Sequence, residues 1–226
     1  MHAVKLKRDW AELTISYDPI FIDPEFEKES FDFMMGQDWP VDMVSVDVGG
    51  HQGIWTTFLA KLRPKGVVYT FEPHPVNFPY LVSNIRSNGI ANVLLSPCAL
   101  GSKNEPSLLR CWDPSLKMGA LGTCQLIKGD LPHYELPVEV RMLDSFEITG
   151  VDFIKIDVEH WEYEVLQGAL ETIINDRPRI LVETHNEDTP RQIRDMCVDL
   201  NYEATYRQTH VPSLNLKSDD LWLTPK

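Results

Sequence analysis

Residues 44–55 read VSVDVGGHQGIW, an apolar run ending in Asp47 and followed at once by Gly49, Gly50 and Gly53. A second apolar run, VVYTF at 67–71, ends in Glu72, 25 positions after Asp47. Strand, glycine turn, helix, strand and terminal carboxylate form the skeleton of a nucleoside-binding α/β unit. In such units the carboxylate takes the ribose hydroxyls, roughly 20 residues beyond the turn. Glycine serves there because it adopts unusual backbone angles and lets a ligand approach the main chain. The turn is D-x-G-x-x-x-G, not the G-x-G-x-x-G that seats a pyrophosphate at a helix N-terminus. It suits a ribose-bearing cofactor without a phosphate.

Outward from this unit, strand and helix patterns alternate. MVSVDV is followed by helix GIWTTFLAKLR, strand VVYTFE, helix HPVNFPYLVSNIRSNG and strand NVLLSPCAL. A loop-rich stretch from Gly101 to Glu139, with hairpin-like pieces, leads to a short strand, VEVRML. Strand DFIKIDV then precedes helix WEYEVLQGALETII, and strand RILVETH precedes helix TPRQIRDMCVDLN. Strands YEATYRQ and DLWLTP close the chain, spaced for an antiparallel hairpin at one edge. Near-continuous apolar runs such as FIKI and RILV fit central parallel strands covered on both faces. The alternation predicts an α/β fold with a doubly wound, mostly parallel sheet. Residues 1–40 read as an N-terminal extension, and 41–226 as the domain. Within the extension, Phe31, Met34 and Met35 share one face of an expected helix ending at Gly36.

The 226 residues include 21 Lys and Arg against 34 Asp and Glu, a net charge of −13. This argues against nucleic acid or an anionic membrane as partner, since phosphate recognition relies on clustered cations. A neutral or cationic substrate is easier to accommodate. No stretch approaches the roughly 18 apolar residues of a membrane helix, and the opening MHAVKLKRDWAELTISYD lacks the apolar core of a secretory leader. The cytosol is the expected compartment, with Cys98, Cys111, Cys124 and Cys197 reduced and mostly buried.

In open α/β sheets, ligands sit beyond the C-terminal ends of the strands. Asp47, Glu72, Asp157 with Glu159, and Glu183 with His185 stand at four such ends.

VDVGGHQG, FEPHPVNFPYLVSNI and VDFIKIDVEHWEYEVLQGALETI, in that order, resemble the FkbM family of S-adenosylmethionine-dependent methyltransferases over about Val44 to His185. The resemblance implies a class I, Rossmann-like methyltransferase sheet of seven strands with a reversed final strand. It also implies O-methylation of a hydroxyl on a sugar or a natural-product scaffold, with S-adenosylhomocysteine as co-product. A companion glycosyltransferase would fit, because glycan methylation follows sugar addition. Where the family carries Gly and a small residue after D-x-E, this chain has His160 and Trp161, whose bulk would reshape the pocket over the cofactor.

By position and by resemblance, Gly49, Gly50 and Gly53 would pass close to the methionine part of the cofactor, and Asp47 would orient the turn or take the amino group. Glu72 would accept the ribose hydroxyls, with Pro73 and His74 beside the adenine and Cys98 and Ala99 lining its slot. Asp157 would also lie beside the reactive methyl, as the first choice of base or contact to the acceptor hydroxyl, and Glu159 the second. His160, Trp161, Glu183 and His185 are expected on the acceptor side: the imidazoles as alternative bases, Trp161 by stacking on a sugar ring. Asp157, Glu183 and His185 could converge on a divalent cation, but no tight ligand spacing supports that, and no metal is expected. A non-sugar hydroxyl as acceptor, or a cofactor-binding interaction module without turnover, are the alternatives.

Overall fold

The computed structural model describes residues 2–8, 11–17, 28–112, 124–126, 133–184, 189–211 and 216–226. The chain opens with an antiparallel hairpin, β1 (His2–Arg8) and β2 (Ala11–Tyr17), a feature not expected in the extension. Helix α1 (Lys28–Met35) follows, ending at Gly36 as the sequence predicts. The alternating stretch supplies β3 (Val44–Val48), α2 (Ile54–Leu62), β4 (Val67–Phe71), α3 (Asn77–Ser87) and β5 (Val93–Ser96). Strands β6 (Ala99–Leu100), β7 (Glu105–Trp112), β8 (Cys124–Gln125) and β9 (His133–Arg141) come next. The chain then runs through β10 (Val151–Ile156), α4 (Glu162–Gln167), α5 (Leu170–Asp176), β11 (Arg179–Thr184), α6 (Thr189–Asp199), β12 (Tyr202–Val211) and β13 (Leu216–Pro225).

Among the described residues the main sheet has seven strands in the order β12-β13-β11-β10-β3-β4-β5. Neighbours from β11 to β5 run parallel, whereas β13 is antiparallel to both β11 and β12. The expected edge hairpin is present. Its second strand is interior, leaving β12 at the edge. The two sheet faces follow from alternation along the strands, interrupted in β10 by a register shift between Val151 and Phe153. Val46, Val48, Ile154, Ile156 and Val182 belong to one buried cluster, with Val165 and Leu166 of α4. Phe153, Leu181 and Trp222 belong to another, with Trp55 and Phe58 of α2 and Phe31 and Met34 of α1. Helix α1 therefore shares the core of the sheet.

Two expected elements differ. NVLLSPCAL is not one strand: β5 stops at Ser96, and Ala99 begins β6 of a separate sheet ordered β6-β9-β7-β8. Pro97 lacks the N–H that a continuing ladder needs, so Cys98 and Ala99 do not end the third core strand. WEYEVLQGALETII forms two helices, broken at Gly168, where a Cβ would lie 1.9 Å from the carbonyl oxygen of Gly101. The hairpin-like pieces expected in the loop-rich stretch are present, β7 pairing antiparallel with β8 and with β9, and β9 extends the short strand expected near Val138. No helix among the described residues is long and apolar enough to cross a membrane.

Candidate active site

Register aligns the strand ends. Thr70, Asp47, Lys155, Leu181 and Trp222 are successive partners across five strands. Two residues further toward the rim the same face presents Glu72, Gly49, Asp157, Glu183 and Asp220, since side chains repeat with period two. Backbone bonds carry the ladder to this level, from Gly49 N–H to Phe71 O at 3.0 Å and from Asp157 N–H to Val48 O at 3.1 Å. Glu183 and Arg207 both face Asp220 across neighbouring strands. The rim is therefore a row of carboxylates with one guanidinium at its far end.

Gly49 lies within this row because nothing larger fits. Its φ is +80°, and a Cβ there would sit 1.8 Å from the Asp157 carbonyl oxygen. Gly50 is pressed against Thr70, and Gly53 caps α2. Between them His51 holds φ 47°, a conformation that side chains disfavour. Its N–H donates to Glu72 Oε2 at 2.7 Å, fastening the strained turn to the next strand.

Glu72 is 5% exposed, and its other oxygen accepts the His74 N–H at 2.8 Å. Burial pushes its pKa up to about 7, against the pull of the two N–H bonds and the Asn77 side chain. The His74 ring accepts the Val76 N–H at Nδ1 (3.3 Å) and places Nε2 3.1 Å from the Tyr134 hydroxyl. Burial lowers the His74 pKa, and drives that of His51 down to about 4. Pro73, half-buried, separates Glu72 from His74.

Asp47 is fully buried. Thr56 donates its hydroxyl to Asp47 Oδ2 at 2.6 Å, and Thr70 donates to Thr56 at 3.2 Å. The Lys155 ammonium lies 3.0 Å from Asp157 Oδ2 and 3.9 Å from Asp47 Oδ1, so it leans toward Asp157. Asp47 Oδ1 accepts no hydrogen bond among the described residues. Burial raises the Asp47 pKa, opposed by the Lys155 charge and the Thr56 bond. The Asp157 side chain is 27% exposed, which makes it the reachable member of the three.

Beyond β10, Glu159 (φ 54°) and His160 (φ 73°) turn the chain sharply. Trp161 holds the N-cap position without a side-chain bond, and buried Glu162 accepts the His160 N–H at 3.0 Å. The Trp161 indole packs against the core, its Nε1 over Gly101. Cys98 and Ala99 are buried between the sheets, and burial pushes the Cys98 thiol up to about 11. His185 lies outside the described residues. The structure thus gathers Asp47, Gly49, Glu72, Asp157 and Glu183 at one rim, and places Trp161 on the core side.

Sequence reasoning missed Lys155, Ser30, Thr56 and Asp220. A lysine inside the apolar run FIKI was the available signal, since a buried cation requires a partner. The cysteine expectation is corrected for one pair. Cys111 and Cys124, opposed in register on β7 and β8, form a disulfide, while Cys98 and Cys197 are free and buried.

Asp220 provides a stability test. Ser30 of α1 donates its hydroxyl to Asp220 at 2.8 Å. Burial pushes the carboxyl up to about 6; Ser30, Lys155 and Arg207 oppose this, and Asp157 adds to it. Glu183 faces it from β11. A raised acid binds its proton more tightly in the folded chain, so stability falls as pH rises from about 4 through 6 and then levels off. Asp220→Asn removes that loss. Denaturant melts should find the variant more stable by about 1–2 kcal/mol near pH 8, with the difference gone below about pH 4. A pH-independent difference would refute the burial effect.

The chain resembles known proteins in sequence and in fold. Methyltransferase 1 of Beauveria bassiana (strain ARSEF 2860) is 26% identical over 176 residues, covering 70% of this chain and 67% of its own. The solved Methyltransferase FkbM of Methylobacillus flagellatus KT matches 83% of this chain with a TM-score of 0.60 and 17% identity. This chain spans 45% of that protein's length. M. jannaschii TYW2 matches 99% of this chain and 87% of its own, with a TM-score of 0.52 and 15% identity. At such identities the two solved structures establish the fold. The Methyltransferase FkbM domain model matches residues 47–207, well over half of the sequence, and the chain belongs to that methyltransferase family.

Proposed function

We propose that the chain is an S-adenosylmethionine-dependent O-methyltransferase acting on a hydroxyl of a sugar, free, nucleotide-linked or in a glycan. The M. jannaschii neighbour is solved in complex with AdoMet, and this site has the features such a cofactor requires. Asp47 Oδ1 is a buried carboxylate oxygen with unused hydrogen-bonding capacity. Glu72 is held rigid by two main-chain N–H groups beside the glycine turn. The carboxylate row favours a cationic ligand. The observation that carries the reading is the meeting of Asp47, the Gly49 turn and Glu72 at one rim.

When bound, S-adenosylmethionine supplies an electrophilic methyl on a sulfonium. Glu72 would hold the ribose hydroxyls and Asp47 the amino group or the turn. Gly49 leaves the strand ends without side-chain bulk. Asp157, fixed at Oδ2 by Lys155, would orient the acceptor hydroxyl and take its proton, with Glu159 as the second choice. Orientation supplies much of the rate in such a transfer. The sugar class rests on the family resemblance and on a net charge that disfavours polyanions.

Calorimetry with S-adenosylmethionine and S-adenosylhomocysteine tests the cofactor first; no binding of either at high micromolar concentration ends the reading. Glu72→Ala, checked for native circular dichroism, should weaken cofactor affinity by about ten- to a hundredfold, the loss of roughly 1.5–3 kcal/mol in charged hydrogen bonds. Unchanged affinity would remove Glu72 from the ribose. Mass spectrometry of an acceptor panel, read for the gain of one methylene, then tests the sugar class.

A further inference from the structure

A second group of donor atoms lies on the smaller sheet. Cys111 of β7 stands opposite Cys124 of β8 on one side and Tyr134 of β9 on the other. Directly opposed residues project to the same face, so Cys124, Cys111 and Tyr134 form one row. The His74 ring reaches this row from the loop after β4, with Nε2 3.1 Å from the Tyr134 hydroxyl. A ring nitrogen of His74 and the two sulfurs lie within 4.8 Å of one another. His74 and Cys111 are each 1% exposed. In the structure the two sulfurs are joined as a disulfide.

We propose that Cys111, Cys124 and His74 form a zinc-class metal site once this disulfide is reduced. Two thiolates and an imidazole are the donor set preferred by soft d10 cations. Zinc–sulfur bonds near 2.3 Å and zinc–nitrogen bonds near 2.0 Å place tetrahedral ligands roughly 3.3–3.8 Å apart. The three donors already lie within 4.8 Å of one another, so side-chain rotation after reduction is enough to assemble the site. Nδ1 accepts the Val76 N–H at 3.3 Å, so ligation gives up that bond, either by using Nδ1 itself or by moving the ring proton to it from Nε2. The fourth position falls to the Tyr134 oxygen or to water.

The redox step balances. A dithiol reductant delivers two electrons and two protons, closing to its own disulfide while Cys111 and Cys124 become thiols. A divalent ion then displaces both thiol protons. Bound metal would tie β7 and β8 to the loop whose His74 N–H already holds Glu72 Oε1 at 2.8 Å. The metal side of His74 is thereby separate from its main-chain bond to the carboxylate.

The test uses the full chain, reduced with a phosphine, stripped of metal and titrated anaerobically with Co2+. One equivalent should bring thiolate-to-cobalt charge-transfer absorption and the intense visible bands of a tetrahedral ion, and one equivalent of Zn2+ should bleach both. Re-oxidised wild-type protein should show neither, a control that needs no variant. Cys111→Ser and Cys124→Ser should each weaken cobalt affinity at least about tenfold, and His74→Phe should shift the visible bands as well. Absence of the charge-transfer band in reduced protein overturns the proposal. So do bands that persist unchanged after oxidation, in either serine variant or in His74→Phe. No cofactor is present in this titration, so its outcome is independent of the methyl-transfer reading.

Discussion

Lys155→Met is expected to lower folding stability by about 3–5 kcal/mol near neutral pH, the loss typical of breaking one partner out of a buried ion pair. The ammonium is 5% exposed, 3.0 Å from Asp157 and 3.9 Å from Asp47. Methionine preserves most of the packed stem, so the loss reports charge. Asp47 is fully buried, and without Lys155 the Thr56 hydroxyl and main-chain N–H are left to favour its ionised form. The added Asp47→Asn change should recover much of the loss, and a double-mutant cycle should return a coupling well above zero. Protonating Asp47 has the same effect as that change, so the gap to wild type should narrow in acid. Chemical denaturation of the four proteins measures all three. A single-variant loss below about 1 kcal/mol would mean that the pairing is solvent-screened and does not hold the strand ends.

Gly49→Ala is the second large effect. The added methyl would lie 1.8 Å from the Asp157 carbonyl oxygen and 3.0 Å from its carbon, at φ +80°. The obstruction is main chain, so relief requires the ends of β3 and β10 to part. A loss of at least about 4 kcal/mol is expected, in the range reserved for backbone strain and overpacking. Gly89 separates the two contributions. It has φ +64° with nothing within 4 Å, so Gly89→Ala should cost only about 1–2 kcal/mol, the left-handed conformation alone. Equal melting temperatures for the two variants would show that Gly49 serves only its dihedral. Soluble Gly49→Ala protein should also bind cofactor more weakly than its residual stability explains, because the same movement displaces Asp157.

Much of this molecule was readable in one dimension. The runs around Val46, Val68, Ile154 and Leu181 marked the parallel strands, since fully buried strands are apolar throughout. Asp47, Glu72, Asp157 and Glu183 could be placed together because polar residues ending such runs stand at the C-terminal edge of the sheet. Cys98 and Ala99 were misplaced because the apolar pattern continues through Pro97 although the hydrogen-bond ladder stops there. The bridge between Cys111 and Cys124 was missed because their spacing matches no motif. They meet only through the pairing of β7 and β8.

By itself the sequence determined the order of strands and helices, the glycine turn and the carboxylates at the strand ends, because periodicity and backbone freedom are properties of neighbouring residues. Only the tertiary structure decided that Lys155 lies between Asp47 and Asp157, and that antiparallel β13 brings Asp220 to the same rim, where Ser30 of α1 meets it. It likewise decided that His74 approaches Cys111 and Cys124. Each of these meetings depends on strand order and register across distant segments, and the pattern along any one segment is compatible with many such pairings.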